Sequence, residues 1–309
     1  MKNNDYLWLN GQYVLIQDAK VSVLSHGLHY GSSVFEGIRS YKTPQGTAIF
    51  RLKEHIDRLY YSANVYRMHI PWQKHQIMDI CKQLIIKNNL TNAYLRPLVF
   101  FGDVGLGVHV KPYTPAEVMI STKVWDHYLE SDSAETGVAI GISSWNRLAP
   151  NTIPTGVKAG GNYLSSQLIA EEARRHGYNE GVALNTQGFV SEGSGQNLFI
   201  IKNNILYTPP ETASILPGIT RDTIIFIAQQ LGYQVIEKDI AREFLYQADE
   251  MFFCGTAVEI IPIISIDGFS VLDGKVGHIT KILQKNYFDI FNLKTENTIQ
   301  WLDFCNTND

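Results

Sequence analysis

The spacing of apolar and polar residues predicts a chain of short strands and amphipathic helices. Apolar runs at 6–9 and 13–16 flank Asn10-Gly11, a pair typical of a tight β-hairpin. Strands are also predicted at 34–41 and 47–51. The first helix is predicted from four apolar residues at spacings of four, three and four: Leu52, Ile56, Leu59 and Ala63.

Periods of two residues, typical of strands, and of 3.6 residues, typical of helices, recur along the rest of the chain. Helices are predicted at 73–87, 162–176, 218–231 and 275–291, and strands at 93–101, 117–124, 138–143, 181–185, 197–201 and 205–208. A polar, acidic stretch at 129–137 is the predicted interdomain linker. It divides the chain into a small N-terminal domain, 1–128, and a larger domain, 138–309. This organisation predicts an α+β protein of two domains.

Composition and charge narrow the classes of function. Apolar residues make up 45% of the 309-residue chain and charged residues 18%, as in ordinary globular proteins. A net charge of −4 indicates neither a nucleic-acid partner nor a membrane surface. No apolar run approaches the roughly 18 residues of a spanning helix, and no signal-peptide core opens the chain. Three scattered cysteines suggest no zinc site and no disulfide framework, and we expect a cytoplasmic location. The nine histidines are scattered as well, so we expect no metal.

One candidate for chemistry is a lysine between small residues. Lys158 lies within Val157–Gly161, and Tyr163 follows shortly after. The small neighbours would let a cofactor approach the backbone and would leave the amine poorly solvated, which favours nucleophilic chemistry. Taken alone, Lys158 is more simply interpreted as a solvated surface lysine.

Glu192 opens a glycine-rich turn that runs into an apolar strand. Such a carboxylate is usually a turn or cap residue, but beside a pyridine nitrogen it would favour the protonated ring. The start of the helix at Gly218-Ile219-Thr220 could bind a phosphate through backbone N–H groups, although a plain capped helix is the commoner case. Arg58 is either an exposed helix arginine or a fork for that phosphate. Neither a P-loop nor a G-x-G-x-x-G motif is present.

Together and in this order, these segments resemble the fold-type IV class of pyridoxal-phosphate enzymes. The matching pattern consists of Glu192, Ser194, Asn197, Leu198, Phe199, Leu206, Thr208, Leu216, Gly218, Ile219 and Arg221. Within that class the chain is similar to the branched-chain amino-acid aminotransferases, from residue 7 to about residue 288. The similarity to this family rests on three further segments: Tyr30-Gly31-Ser32-Ser33-Val34-Phe35-Glu36-Gly37-Ile38-Arg39, Tyr94-Leu95-Arg96-Pro97 and Gly105-Leu106-Gly107-Val108. One departure is Gln196, where many relatives carry Glu.

The resemblance implies an architecture and a reaction. The architecture is a small N-terminal α/β domain and a larger, β-rich C-terminal domain with flanking helices. The reaction is reversible transamination of L-leucine, L-isoleucine and L-valine with 2-oxoglutarate, giving branched-chain 2-oxo acids and L-glutamate. It would follow a ping-pong mechanism with pyridoxal 5′-phosphate as cofactor and Lys158 as the Schiff-base and proton-transfer residue.

The resemblance also implies a role for each site residue. The other residues expected to bind the cofactor are Arg58, Gly218, Ile219, Thr220 and Thr256 around the phosphate, Tyr163 at the ring hydroxyl, Glu192 at the ring nitrogen and Leu216 against the ring. Those expected to bind the substrate are Tyr94, Thr256 and Ala257 at the α-carboxylate, Arg96 at the distal carboxylate of glutamate, and Tyr30, Phe35, Gly37, Val108, Trp125 and Tyr128 in the apolar pocket. In the family Tyr30 and Val108 reach this pocket from the partner subunit, which implies a homodimer or a dimer-based hexamer.

Alternatives remain open from the sequence. A D-amino-acid aminotransferase and an aminodeoxychorismate lyase belong to the same fold type, although the segment from Tyr30 to Arg39 and the pair Tyr94 and Arg96 argue against both. A non-enzymatic protein that keeps the scaffold is a further alternative, which the presence of every titratable group disfavours. The sequence leaves open the preference among the three substrates, dimer against hexamer, and a biosynthetic against a degradative role.

Overall fold

The computed structural model describes residues 5–124 and 133–305, and these residues form two compact units. The first unit contains residues 5–124, Val157–Gly161 and 290–305, and the second contains 133–156 and Asn162–Asp289. The segment that carries Lys158 therefore belongs to the first unit, whereas the sequence interpretation assigned it to the second domain. The linker at 129–137 stays a prediction, because much of it lies outside the described residues.

The first unit is built on an 8-stranded sheet in which all neighbours are antiparallel. Seven of its strands are β1 (Tyr6–Leu9), β2 (Gln12–Leu15), β3 (Ser33–Phe35), β4 (Ile38–Thr43), β5 (Gly46–Phe50), β6 (Ala93–Phe100) and β7 (Glu117–Val124), and the eighth is the C-terminal strand Leu302–Phe304. The order across the sheet is the C-terminal strand, β5, β4, β6, β7, β1 and β2, and β3 pairs with β6.

Helices α1 (His26–Tyr30), α2 (Leu52–Val65) and α3 (Lys74–Lys87) complete the first unit. The apolar faces of α2 and α3 contribute to one buried core together with residues of the sheet. Val157 and Ala159 are buried in this same core, and Ala159 forms an antiparallel bridge with Val34. The burial of both neighbours anchors the backbone of Lys158 to the first unit.

The second unit is built on a 9-stranded mixed sheet. Its strands are β8 (Val138–Ile142), β9 (Glu180–Leu184), β10 (Val190–Gly193), β11 (Asn197–Lys202), β12 (Ile205–Thr208), β13 (Val235–Glu237), β14 (Glu250–Gly255), β15 (Glu259–Ile266) and β16 (Phe269–Ser270). Its helices are α4 (Ser133–Thr136), α5 (Tyr163–Arg175), α6 (Ile219–Gln230), α7 (Arg242–Leu245) and α8 (His278–Phe291), the last two residues of which count with the first unit. The order is β10, β9, β8, β15, β14, β11, β12 and β13, and β16 pairs with β15.

Predictions based on patterns of neighbouring residues agree with the structure. The hairpin of β1 and β2 is confirmed, and Asn10 and Gly11 have positive φ values of 47° and 96° in its turn. The two sheets with their helices confirm the predicted α+β class. Within the described ranges no helix is long and apolar enough to cross a membrane.

Two predicted elements are wrong in their extent. The single strand predicted at 34–41 is broken at Glu36 and Gly37, and Glu36 turns inward as a fully buried side chain. The last helix begins at His278 rather than at residue 275, because the Glu250 carboxylate accepts hydrogen bonds from the backbone N–H groups of Ile279 and Thr280. Strands β14 and β15 were not predicted from the sequence.

Candidate active site

Lys158 lies in the first unit beside β3. The Phe35 N–H donates to the Lys158 carbonyl at 3.0 Å, and the Lys158 N–H donates to Ser62 Oγ at 3.3 Å. The amine nitrogen Nζ of Lys158 is 5.1 Å from the centre of the Phe35 ring. A short extended segment, held by hydrogen bonds on both sides of the peptide chain, therefore sets the position of the amine.

Three other predicted substrate residues, Gly37, Tyr94 and Arg96, lie near Phe35. The Arg96 guanidinium carbon lies 4.6 Å from the centre of the Phe35 ring, and Arg96 Nη2 donates to the Tyr94 hydroxyl at 3.0 Å. A Cβ atom on Gly37 would lie 1.9 Å from that hydroxyl, so only glycine accommodates Tyr94 in this position. Arg96 Nε is buried and has no hydrogen-bond partner among the residues that the structure describes. We call Lys158, Phe35, Gly37, Tyr94 and Arg96 the lysine cluster.

Arg58, the predicted phosphate ligand, is held by a buried carboxylate. Its Nε and Nη2 donate to the two oxygens of Glu36 at 2.7 and 2.9 Å, and His55 Nδ1 lies 2.7 Å from Glu36 Oε2. Burial by itself raises the pKa of Glu36, but the charge and hydrogen bonds of Arg58 and the hydrogen bond of His55 outweigh it and lower the pKa to about 2. Burial lowers the pKa of His55, so the neutral imidazole donates through Nδ1. The carboxylate therefore fixes the plane of the guanidinium.

Glu192 lies in the second unit at the end of β10 and is almost fully buried. Arg147 Nη2 lies 2.8 Å from Oε1 of Glu192, while Asn197 Nδ2 and the Leu216 N–H each donate to Oε2 at 3.1 Å. Asn197 also donates to the Leu216 carbonyl at 3.0 Å. We call Glu192, Arg147, Asn197 and Leu216 the glutamate cluster. It places donors on both carboxylate oxygens, which favours the charged form of the acid.

Helix α6 begins next to this cluster. Gly218 is its N-cap residue and, having no side chain, accepts no capping hydrogen bond from the N–H groups of the first turn. A Cβ atom on Gly218 would lie 2.0 Å from Asn197 Oδ1, so a larger residue would displace the amide. The first turn carries the predicted ligands Ile219 and Thr220, whose backbone N–H groups belong to the positive end of the helix dipole.

Thr256 and Ala257 occupy the turn between β14 and β15. Strand β14 pairs with β11, where Asn197 is opposite Cys254. Because the two strands are antiparallel, the turn after β14 lies at the end of the sheet at which β11 begins. This topology brings the predicted Thr256 and Ala257 ligands to the edge that also carries the glutamate cluster.

The remaining predicted residues have different settings. Tyr163 is the first residue of α5 in the second unit. Tyr30 and Val108 are 47% and 76% exposed on the first unit, and the Tyr30 hydroxyl donates to the Leu106 carbonyl at 2.5 Å. The predictions for Trp125 and Tyr128 fall outside the described residues.

Sequence reasoning missed two partners of site residues, Glu36 and Arg147. Glu36 stood inside a segment that carried the family resemblance, but nothing local assigned it to Arg58, which lies 22 residues later. Arg147 had no local signal at all. The available hint was general, because a buried charged side chain requires a counter-charge.

The residues present fit pyridoxal phosphate. The cofactor needs an amine for its carbonyl carbon, an anion for its ring nitrogen and donors for its phosphate. The first unit contains an amine in Lys158 and an oriented guanidinium in Arg58, and the second contains a carboxylate in Glu192 and a helix start at Gly218, so groups of each required kind are present. The chemistry of this donor set therefore suits the cofactor.

Comparison with known proteins agrees with this chemistry. The family model of class IV amino-transferases matches residues 33–266. A branched-chain-amino-acid aminotransferase of Salmonella typhimurium is 52% identical over 306 residues, 99% of each chain. The chain belongs to this family. It is a pyridoxal-phosphate-dependent branched-chain-amino-acid aminotransferase with the predicted fold-type IV architecture.

Solved structures extend the comparison to three dimensions. The branched-chain amino acid aminotransferase of Escherichia coli matches with a TM-score of 0.97 at 51% identity, covering 98% of this chain and 100% of that one. The T.th. branched-chain amino acid aminotransferase matches with a TM-score of 0.93 at 40% identity, covering 98% and 99%. That enzyme has been solved in complex with N-(5′-phosphopyridoxyl)-L-glutamate and with 4-methylvaleric acid.

Proposed function

We propose that this enzyme catalyses reversible transamination of L-leucine, L-isoleucine and L-valine with 2-oxoglutarate. The products are the branched-chain 2-oxo acids and L-glutamate. The observation that carries the proposal is the lysine cluster, in which an amine and a guanidinium lie over one aromatic ring. An apolar face suits a branched side chain, and Arg96 suits the distal carboxylate of glutamate.

One pocket must therefore accept two very different side chains. A guanidinium facing an apolar substrate is costly unless it keeps a partner, and Arg96 keeps the Tyr94 hydroxyl and the Phe35 ring face. The buried Nε of Arg96 provides a further donor when a carboxylate enters. The T.th. enzyme supports this dual use, because its complexes contain a glutamate derivative in one structure and a branched aliphatic acid in another.

The cofactor contacts of the chain follow the same assignment. We assign Arg58, Ile219, Thr220 and Thr256 as ligands of the cofactor phosphate, as the family pattern implies. Gly218 is assigned to the same site, where it leaves room for the phosphate. Tyr163 is assigned to the ring hydroxyl, Glu192 to the ring nitrogen and Leu216 to the ring face. When bound, pyridoxal phosphate withdraws electrons through its protonated ring. Lys158 Nζ binds the cofactor and afterwards holds the proton that leaves the substrate α-carbon.

Substrate orientation is assigned to two groups of residues. Tyr94, Thr256 and Ala257 bind the α-carboxylate. Phe35 and Gly37 are assigned to the side-chain pocket, and the family pattern assigns Trp125 and Tyr128 to it as well. Since amino donor and oxo-acid acceptor would use the same groups in turn, the order of reaction is ping-pong.

We further infer a homodimer or a dimer-based oligomer in which Tyr30 and Val108 serve the partner subunit. The supporting observation is the exposure of apolar side chains on α1 and the glycine loop, with Leu28 at 66%, Leu106 at 62% and Val108 at 76%. A single chain rarely leaves such a cluster uncovered. A Lys158→Ala subunit mixed with a Tyr30→Asp subunit should then regain activity, since each supplies what the other lacks. Failure to regain activity, with sedimentation at the monomer mass of 34.9 kDa, would refute the assembly.

The role of Lys158 is tested by replacing it with alanine. Lys158→Ala should lower turnover of L-leucine at least about 1,000-fold, because both the covalent attachment and the proton acceptor are lost. Borohydride treatment should no longer attach the cofactor to the protein. The control is Lys53→Ala, a lysine on α2 whose side chain is 73% exposed, which should leave both measurements unchanged. Normal turnover in Lys158→Ala would end the proposal.

The role of Arg96 is tested by comparing two substrates in one variant. Arg96→Ala should reduce kcat/KM for 2-oxoglutarate by about 10- to 100-fold, the range of a charged hydrogen bond, with a much smaller loss for L-leucine. Arg96→Lys should lie between, because it keeps the charge but not the two-pronged geometry. Equal losses for the two substrates would assign Arg96 a structural role instead.

A further inference from the structure

Arg147 brings a full positive charge to Glu192. Its Nη2 lies 2.8 Å from Glu192 Oε1, and the side chains are 5% and 6% exposed. The other donors to Glu192, the Asn197 amide and the Leu216 N–H, are neutral and both bind Oε2. The two carboxylate oxygens are thus distinguished, one by a cation and one by two dipoles.

Arg147 is itself firmly held in the second unit. Its N–H donates to the Leu184 carbonyl at 2.8 Å, and Nη1 donates to Ser166 Oγ on α5 at 3.4 Å. Arg147 Nε is buried without a hydrogen-bond partner in the ranges that the structure describes. Burial of a guanidinium with one donor unsatisfied is costly, and a purely structural position would be filled at lower cost by an apolar side chain. The charge of Arg147 therefore requires a reason beyond packing.

From this geometry we infer that Arg147 is a positioning residue that keeps Glu192 ionised and aimed at the ring nitrogen of the cofactor. The inference rests on the proposed role of Glu192. An isolated buried carboxyl group takes up a proton, and a neutral Glu192 would leave the ring nitrogen unprotonated. The ring would then withdraw electrons less strongly from the substrate α-carbon. In this inference Arg147 acts through Glu192, to which its Nη2 is bound.

The prediction is that Arg147 matters only while the cofactor has a basic ring nitrogen. The test uses pyridoxal phosphate and 1-deazapyridoxal phosphate, in which a carbon replaces that nitrogen. The proteins compared are the unsubstituted enzyme and Arg147→Met, which removes the charge and keeps a long side chain. For each combination the cofactor dissociation constant, the visible absorption spectrum and the rate of α-deuterium exchange from L-leucine are measured.

With pyridoxal phosphate, Arg147→Met should weaken cofactor binding and slow exchange by about 10- to 100-fold, and it should move the visible absorption band. With the carbon analogue, the two proteins should agree within about twofold, because the interaction that Arg147 supports is already absent. Equal losses with both cofactors would show a merely structural role and overturn the inference. Unchanged binding, spectrum and rate with pyridoxal phosphate would overturn it as well.

Two further variants keep the test decisive. Arg147→Lys should recover part of the loss with pyridoxal phosphate, and it replaces Arg147→Met in the comparison if the latter does not fold. Arg242→Met removes a half-exposed arginine paired with Asp267 in the same unit and should change nothing. If the unsubstituted enzyme itself treats both cofactors alike, the proposed partner of Glu192 is wrong and the inference falls with it. Failure of the proposed function would appear separately, as normal turnover in Lys158→Ala.

Discussion

Each unit contains a buried arginine–carboxylate pair, but the proposed cofactor ligand is the arginine in one pair and the carboxylate in the other. In the first unit the cation is the proposed ligand, and the Glu36 carboxylate orients Arg58 for a phosphate. In the second unit the anion is the proposed ligand, and Arg147 supports Glu192 for the ring nitrogen. A buried ion pair is a weak source of stability. Its value here is orientation and charge, and the supporting member differs because the cofactor is anionic at one end and basic at the other.

The two pairs also differ in what remains when one member is removed. Without Glu36, the largely buried Arg58 guanidinium loses the carboxylate that binds both its Nε and its Nη2. Without Arg147, Glu192 still accepts hydrogen bonds from Asn197 and Leu216. The first pair should therefore be the more vulnerable in stability, even though both matter to the proposed chemistry.

The largest expected effect is the loss of stability when the pair of Glu36 and Arg58 in the first unit is broken. Glu36→Gln keeps the shape of the side chain but removes the negative charge that Arg58 contacts, and we expect it to lower the free energy of unfolding by about 3–5 kcal/mol. Arg147→Met should lower it by only about 1–3 kcal/mol, since neutral donors remain. Urea unfolding of the cofactor-free protein measures both. Asp57→Asn, on the exposed face of α2, is the control and should change the value by less than about 1 kcal/mol. The reverse order for the two site variants would contradict the comparison.

A smaller effect should appear as the pH is lowered, and it should arise in the first unit. The pKa of His55 is lowered by burial, so the unfolded chain takes up a proton below its ordinary value near 6.5 while the folded chain does not. Stability therefore falls as the pH falls below that value, by at most about 1.4 kcal/mol per pH unit for one group. Because the pKa of Glu36 is lowered to about 2, its contribution is present above the unfolded value of 4.5 and is lost between 4.5 and about 2.

The variant that isolates this dependence is His55→Gln, which keeps a hydrogen-bond donor for Glu36. Its urea midpoint should stay flat between about pH 7 and pH 5.5, the range just around and below the ordinary histidine pKa, where the midpoint of the unsubstituted protein declines. A matching decline in both proteins would assign the acid sensitivity to other groups.

The smallest expected effect concerns the glycine-rich turn of the second unit. Glu180 Oε2 accepts hydrogen bonds from Ser194 Oγ at 2.8 Å and from Gln196 Nε2 at 3.0 Å, and all three side chains are buried. Gln196→Glu would set two carboxyl groups within hydrogen-bond distance, so one of them must keep a proton. The variant should match the parent near about pH 5 and lose about 1 kcal/mol of stability by about pH 8.

This dependence has the opposite sign to that of His55, because the shared proton is lost as the pH rises. Denaturant midpoints at the two pH values provide the measurement. A deficit that does not change with pH would mean that packing, rather than charge, selects glutamine at this position. A deficit that grows with pH would instead tie Gln196 to the charge of Glu180.

Much of the fold was predictable because its signals are local. The Asn10-Gly11 turn permits positive φ values that match strand twist, and the apolar spacing of α2 needs only residues within the helix. The break at Glu36 and Gly37 was not predictable in this way. Val34 to Tyr41 is a continuous strand pattern, and the interruption depends on Arg58 and Tyr94, which are distant in the chain.

The sequence by itself determined the chemical groups, namely Lys158, Glu192 and the start of α6 at Gly218. It also determined the family, through the segments around Tyr30 and Arg96 that resemble branched-chain aminotransferases. The tertiary structure decided which groups support them. Only folding brings Glu36 to Arg58 and Arg147 to Glu192, and only folding places Val157 and Ala159 in the core of the first unit. The physical reason is that periodicity and turn chemistry act over a few residues. A buried charge is neutralised by whichever partner the topology delivers, at any separation along the chain.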